Sequence, residues 1–164
     1  MFKSIRNVSF VVFTLGAIVF PGTSHAAVGD SIVGTQVVGQ VSGGGASDTS
    51  GLIGGVFNLY YQGRLSRNSA ILAQFQSGSG WSSFGGAYKS YFAGARYTNG
   101  PYWAAGLGIW DFGSLGNATT IDGSLGYDFT VGTNLVFGLD ATLAYSLDSG
   151  GSVTNLGFNI GYKF

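Results

Sequence analysis

Asn155-Leu156-Gly157-Phe158-Asn159-Ile160-Gly161-Tyr162-Lys163-Phe164 is the stretch that decides the fold. A large apolar residue stands on every even position, and asparagine, glycine or lysine on every odd one. Successive side chains of a β-strand point to opposite faces, so this segment has one apolar face and one polar or minimal face. A helix would scatter the same residues around its circumference.

The alternation continues backwards through the chain. Leu135, Phe137, Leu139, Ala141, Leu143 and Tyr145 oppose Val136, Gly138, Asp140, Thr142 and Ala144. Ile121, Leu125, Tyr127 and Phe129 oppose Asp122, Ser124, Gly126 and Asp128, and Trp103, Leu107 and Ile109 oppose Ala104, Gly106, Gly108 and Trp110. Earlier segments repeat the pattern, giving candidate strands at 31–42, 51–62, 69–77, 87–98, 102–111, 119–130, 134–145 and 153–164. No segment carries an apolar stripe at helical spacing. Each candidate strand is long enough to cross a bilayer when tilted, which takes roughly 9–11 residues.

The connections alternate in character. Thr98-Asn99-Gly100-Pro101 and Val131-Gly132-Thr133-Asn134 read as tight turns, and 62–69 is a longer link carrying Arg64 and Arg67. The links at the other end, 42–50, 77–86, 112–118 and 146–152, are rich in glycine and serine. Trp81 and Phe84 are expected in the second of these, packed over the barrel mouth or against lipopolysaccharide.

Charge placement separates a membrane barrel from a soluble β-sandwich. A soluble sheet puts charges outside and apolar residues inside. Here Arg96, Asp122, Asp128, Asp140 and Lys163 share the glycine-bearing faces, while the aromatic faces carry little charge. Lys89 is the exception, expected on an apolar face near a strand end. Backbone polar groups in hydrocarbon must all be satisfied, so strands span a membrane only as a closed sheet. The expected fold is all-β: an eight-stranded antiparallel up-and-down transmembrane β-barrel.

The N-terminal region has a different logic. Lys3 and Arg6 precede the apolar run 8–20, Pro21-Gly22 breaks it, and Ser24-His25-Ala26 is a small-x-small site. This is the layout of a secretory signal peptide over 1–26, leaving a barrel domain over 27–164. The run is too short for a helix to cross roughly 30 Å of hydrocarbon.

The signal peptide, the eight alternating strands and the ending Phe158-x-Ile160-x-Tyr162-x-Phe164 resemble the small eight-stranded outer-membrane proteins, such as the OmpX family and the barrel domain of OmpA. That resemblance implies the outer membrane of a Gram-negative cell envelope, surrounded by membrane lipid and lipopolysaccharide. It also implies that Phe158, Ile160, Tyr162 and Phe164 form a C-terminal signal read by the barrel assembly machinery. The expected state is a monomer.

Chemistry is constrained by what the barrel region lacks. It has no cysteine, no glutamate and no histidine, since His25 lies in the signal peptide. Serine hydrolases of the lipid A-modifying kind need a histidine base, so no catalytic residue, cofactor or metal site is expected. Five basic residues face seven aspartates, a formal charge of −2. Nucleic acid is therefore not an expected partner.

The lumen set Arg96, Asp122, Asp128, Asp140 and Lys163 has two readings. One is a salt-bridge network inside a barrel filled by side chains, with a structural or surface-interaction role. The other is a charged constriction in a narrow pore for ions or small solutes. Inward glycines (Gly94, Gly106, Gly108, Gly126, Gly138, Gly157, Gly161) either make room for Tyr60, Tyr88, Phe92 and Trp110 or leave a water-filled cavity.

Overall fold

The computed structural model describes residues 31–44, 56–78, 81–111, 113 and 116–164. The expected signal peptide at 1–26 lies outside the described residues. Eight strands follow one another: β1 (Ser31–Gly44), β2 (Val56–Arg64), β3 (Ser69–Gly78), β4 (Trp81–Tyr91), β5 (Gly100–Asp111), β6 (Asn117–Val131), β7 (Leu135–Ser146) and β8 (Ser152–Lys163). Each pairs antiparallel with the next, and β1 pairs with β8, so the sheet is a closed barrel. Closure leaves no unpaired edge for another chain or for lipid to meet. The fold is the expected up-and-down eight-stranded barrel.

The two ends of the sheet differ. Ser31 and Phe164 exchange backbone hydrogen bonds of 3.0 and 3.3 Å, so both described termini lie at one rim, here called the terminal rim. The connections β2–β3, β4–β5 and β6–β7 share it, and the other four lie at the far rim. In β1 the register to β8 shifts between Gln40 and Ser42, the only irregularity in that pairing.

Alternation sorts residues as expected on seven of the eight strands. Val37, Leu59, Phe75, Leu107, Leu125, Leu139 and Leu156 face outward and are exposed. So are Tyr127, Phe129, Tyr162 and Phe164 near the terminal rim, where Phe129 stacks on Phe137 at 5.6 Å. An apolar band of this extent far exceeds the patches a soluble surface tolerates, a few hundred Å². It fits hydrocarbon, with aromatic residues at the boundary.

Strand β4 departs from expectation. It runs from Trp81 to Tyr91 rather than over 87–98, and residues 92–99 form the turn to β5. Inward and outward positions are therefore exchanged there. Tyr88 and Phe92, expected inside, are 44% and 46% exposed; Lys89, expected outside, is 5% exposed and points into the lumen. Trp81 and Phe84 belong to the strand, not to a loop. Trp81 stacks on Trp110 with ring centroids 4.6 Å apart. Gly94 sits in the turn with φ +88°, not on an inward face.

Candidate functional site

The lumen is where this fold brings polar chemistry together. Its terminal half holds a cluster of aromatic side chains and one lysine. Ile32, Tyr60, Ala70, Tyr91, Tyr97, Tyr102 and Val136 form a buried cluster. Lys89 reaches into it and sets its Nζ 3.6 Å from the centroid of the Tyr102 ring and 5.3 Å from that of Tyr91. A ring face attracts a cation more strongly when water is excluded, by about 2 kcal/mol or more. The ammonium also donates to Asp128 Oδ2 at 2.5 Å and to Gln62 Oε1 at 3.1 Å. The Tyr91 hydroxyl donates to the same Asp128 oxygen at 2.5 Å.

Strand order explains the meeting. Lys89 and Asp128 lie on β4 and β6, separated by β5, and only the curvature of the closed sheet turns both inward to one point. Glycine supplies the space. A Cβ on Gly126 would lie 2.5 Å from the Tyr102 ring and 2.6 Å from the Leu139 carbonyl oxygen. A Cβ on Gly34 or Gly161 would lie 2.5 Å from Tyr60. Around Tyr60 and Tyr102, then, inward glycines make room for large side chains.

The β4–β5 turn covers this plug. Tyr97 packs edge-on against Tyr91 at 6.0 Å, beneath the Arg64 guanidinium, whose Cζ is 5.5 Å from the Tyr97 ring centroid. Thr98 is fully buried with φ +65°, a conformation rare for a β-branched residue. Its hydroxyl lies 2.8 Å from that of Thr130, and its carbonyl accepts from the Thr130 hydroxyl at 3.0 Å. Thr130 N–H donates to Asn99 Oδ1 at 3.0 Å. These contacts with β6 hold the turn across the terminal rim despite the strained backbone.

Toward the far rim the lining changes to amides and hydroxyls. Gln36 Nε2 donates to Asp140 Oδ2 at 2.5 Å, and Asn58 Nδ2 donates to Gln36 Oε1 at 2.6 Å. Thr142 donates to Asp140 Oδ1 at 3.3 Å, and its hydroxyl lies 2.8 Å from that of Ser124. A cavity of about 60 Å³ lies among these groups, bounded below by Lys89 and Tyr102.

The five residues expected to form one lumen network are thus placed differently. Asp122, Asp128 and Asp140 point into the lumen at separate levels. Only Asp128 among them is ion-paired with a described residue, and its partner is Lys89. Arg96 is exposed in the β4–β5 turn, bridged through its backbone to Asn99, because β4 ends at Tyr91. Lys163 is half-buried at the terminal rim, where its backbone pairs with Asn134. Gln36, Asn58, Gln62, Tyr91 and Tyr102 were not singled out from the sequence. Neutral amides and tyrosines on an inward face announce nothing until their partners across the barrel are known. Phe158, Ile160, Tyr162 and Phe164 lie on the outward face of β8.

No family of related sequences matches the chain, and no curated protein does. Solved structures do match. Neisserial surface protein A superposes with a TM-score of 0.61 at 13% identity, covering 82% of this chain and 97% of that one. The N-terminal β-barrel domain of Pseudomonas aeruginosa OprF gives 0.52 at 17% identity, covering 82% and 98%. Ail, the attachment invasion locus protein of Yersinia pestis in complex with the heparin analogue sucrose octasulfate, gives 0.51 at 13%, again covering 82% and 98%. Such identities speak for the fold alone. With its apolar exterior, polar interior and closed eight-strand order, the chain has the fold of these small eight-stranded outer-membrane barrels.

Proposed function

We propose that this chain is a structural protein of the bacterial outer membrane, a barrel whose lumen is filled rather than conducting and which has no enzymatic activity. The observation that carries the reading is the plug of Lys89, Asp128, Tyr91, Tyr102 and Gln62 under the turn holding Tyr97. Side chains held by charge-assisted hydrogen bonds do not step aside at thermal cost, so a continuous aqueous path is interrupted there. The protein stands in lipid and lipopolysaccharide as a monomer. Its terminal aromatic pattern serves the assembly machinery, and its signal peptide is removed after Ala26.

The charge layout supports an orientation. Arg64, Arg67, Arg96 and Lys163 belong to the terminal rim, whereas Asp111 and Asp148 belong to the far rim. None of the four far-rim links, over 45–55, 79–80, 112–116 and 147–151, contains a lysine or arginine. A sulfated ligand like that of Ail therefore finds no cationic loop here, and surface contacts at this rim are with uncharged or cation-bridged groups.

Planar-bilayer recording tests the reading. The wild-type barrel leaves the membrane at its bare conductance, while a Tyr91→Ala/Tyr97→Ala/Tyr102→Ala variant admits ions. Stable conductance steps from wild-type protein would favour the narrow pore, the competing reading that the polar cavity supports. An altered lipid A mass on expression would overturn the non-enzymatic assignment.

A further inference from the structure

Two links meet at one corner of the terminal rim. Residues 65–68 join β2 to β3, and residues 92–99 join β4 to β5. Tyr91 N–H donates to the Asn68 carbonyl at 2.8 Å and Tyr97 N–H to the Arg67 carbonyl at 3.3 Å, so the two links are tied side by side. Arg64 is held at the same place. Its Nε donates to the Ser66 carbonyl at 2.9 Å, and its guanidinium lies over the Tyr97 ring. Arg96 precedes Tyr97, and its backbone is bonded to Asn99 in a turn that Thr98 anchors on Thr130. Three arginines from two links are thereby gathered at one corner.

Gathering like charges is unfavourable unless an anion offsets it. The Arg67 and Arg96 side chains are exposed and make no ion pair among the described residues. No described aspartate is exposed at this rim: Asp128 is buried against Lys89, Asp122 and Asp140 point into the lumen, and Asp111 and Asp148 belong to the far rim. Beside the arginines the surface is apolar. Leu65 in the first link and Phe92 at the start of the second are exposed, and the cross-strand pair Ile71 and Tyr88 continues them along the outer face of β3 and β4. A strip that fits hydrocarbon therefore runs up to the guanidinium groups.

We propose that this corner binds an anionic phospholipid of the periplasmic leaflet, with Arg67 and Arg96 on the phosphodiester and the acyl chains along Leu65, Phe92 and Ile71. A guanidinium presents paired N–H donors that match phosphate oxygens. The apolar strip calls for a ligand with tails, which favours a lipid over free phosphate or an acidic polymer. A zwitterionic headgroup would bring its ammonium to a corner with no exposed carboxylate side chain among the described residues, so the anionic class is selected. The inference rests on the outer-membrane reading, with the rim that holds both ends of the sheet turned to the periplasm, and not on whether the lumen is sealed.

The test is native mass spectrometry of the folded, detergent-solubilised barrel offered equal amounts of phosphatidylglycerol, phosphatidylethanolamine and lipid A. Wild-type protein retains phosphatidylglycerol about tenfold over phosphatidylethanolamine, and Arg67→Gln/Arg96→Gln brings that ratio near one. Arg67→Gln alone lowers it several-fold, whereas Lys163→Gln, the same loss of charge elsewhere on the rim, leaves it unchanged. Equal retention of the two phospholipids by wild type, a ratio that survives the double variant, or an equal fall in Lys163→Gln would each overturn the site. Lipid A retained above phosphatidylglycerol through these arginines would overturn the choice of lipid. Orientation is read separately. Ala93→Cys places the only cysteine of the chain in the exposed β4–β5 turn. It escapes a bulky maleimide that does not cross the outer membrane in intact cells and reacts after lysis; labelling of intact cells would overturn the periplasmic leaflet while leaving the lipid contrast intact.

Discussion

Replacing Lys89 with methionine probes the feature on which the proposed filled lumen rests. Methionine keeps the unbranched stem and removes only the ammonium. What is lost is a 2.5 Å contact with Asp128, a 3.1 Å bond to Gln62 and a 3.6 Å approach to the Tyr102 ring. Asp128, 1% exposed, keeps the Tyr91 hydroxyl as its donor but no counter-charge. Removing one partner of a buried pair costs about 4 kcal/mol, with the ring contact accounting for about 1–2 of it. Asp128→Asn leaves Lys89 with a neutral acceptor, Gln62 and the ring, and is expected to cost about 2 kcal/mol. The double variant carries no stranded charge and is expected near 3 kcal/mol, so the single effects exceed it by about 3 kcal/mol. Equilibrium urea unfolding in micelles, followed by fluorescence of Trp81, Trp103 and Trp110, measures all three. If Lys89→Met stays within about 0.5 kcal/mol of wild type, or if the single effects simply add, the pair is not the buried, coupled unit described.

Other outcomes follow from the same geometry. Leu125, outward at the middle of β6 and 62% exposed, faces hydrocarbon; Leu125→Arg should cost about 3 kcal/mol in a bilayer-refolding titration. Gly126→Ala sets a methyl 2.5 Å from the Tyr102 ring and should destabilise by about 2 kcal/mol in urea unfolding. Gly123→Ala, three residues earlier with nothing within 4 Å of its Cβ position, should stabilise by about 0.5 kcal/mol in the same assay. Phe164→Ser should lower the amount of folded barrel in outer membranes several-fold. It should leave refolding from urea into detergent unchanged, as expected if the residue serves assembly rather than stability.

The faces of the strands were legible from the sequence because a period of two needs no partner to define it. Leu156, Phe158, Ile160 and Tyr162 are outward on any β reading, since hydrocarbon rewards that choice at each position separately. The same locality placed Asp122, Asp128 and Asp140 inside. It failed on β4. The segment Ser82-Ser83-Phe84-Gly85-Gly86-Ala87 mixes small residues on both faces, so its parity is weakly marked. The Asn99-Gly100 pair invited a tight hairpin and an extended strand up to Thr98. Instead β4 stops at Tyr91, and the extra residues fold across the rim, held by Thr98, Asn99 and Thr130.

What the sequence by itself determined is therefore the architecture: eight alternating spans whose apolar faces demand a lipid exterior, with charge and glycine turned inward. Which inward groups meet was decided only by closure. Lys89 and Asp128 are 39 residues apart, and Gln36 and Asp140 are 104 apart. Neither pair is adjacent in the sheet ladder. Each reaches over one intervening strand, β5 or β8, where contact depends on curvature, on stagger and on glycines such as Gly126 that let tyrosines occupy the centre. Alternation specifies a side of the sheet, and only the closed cylinder specifies a neighbour.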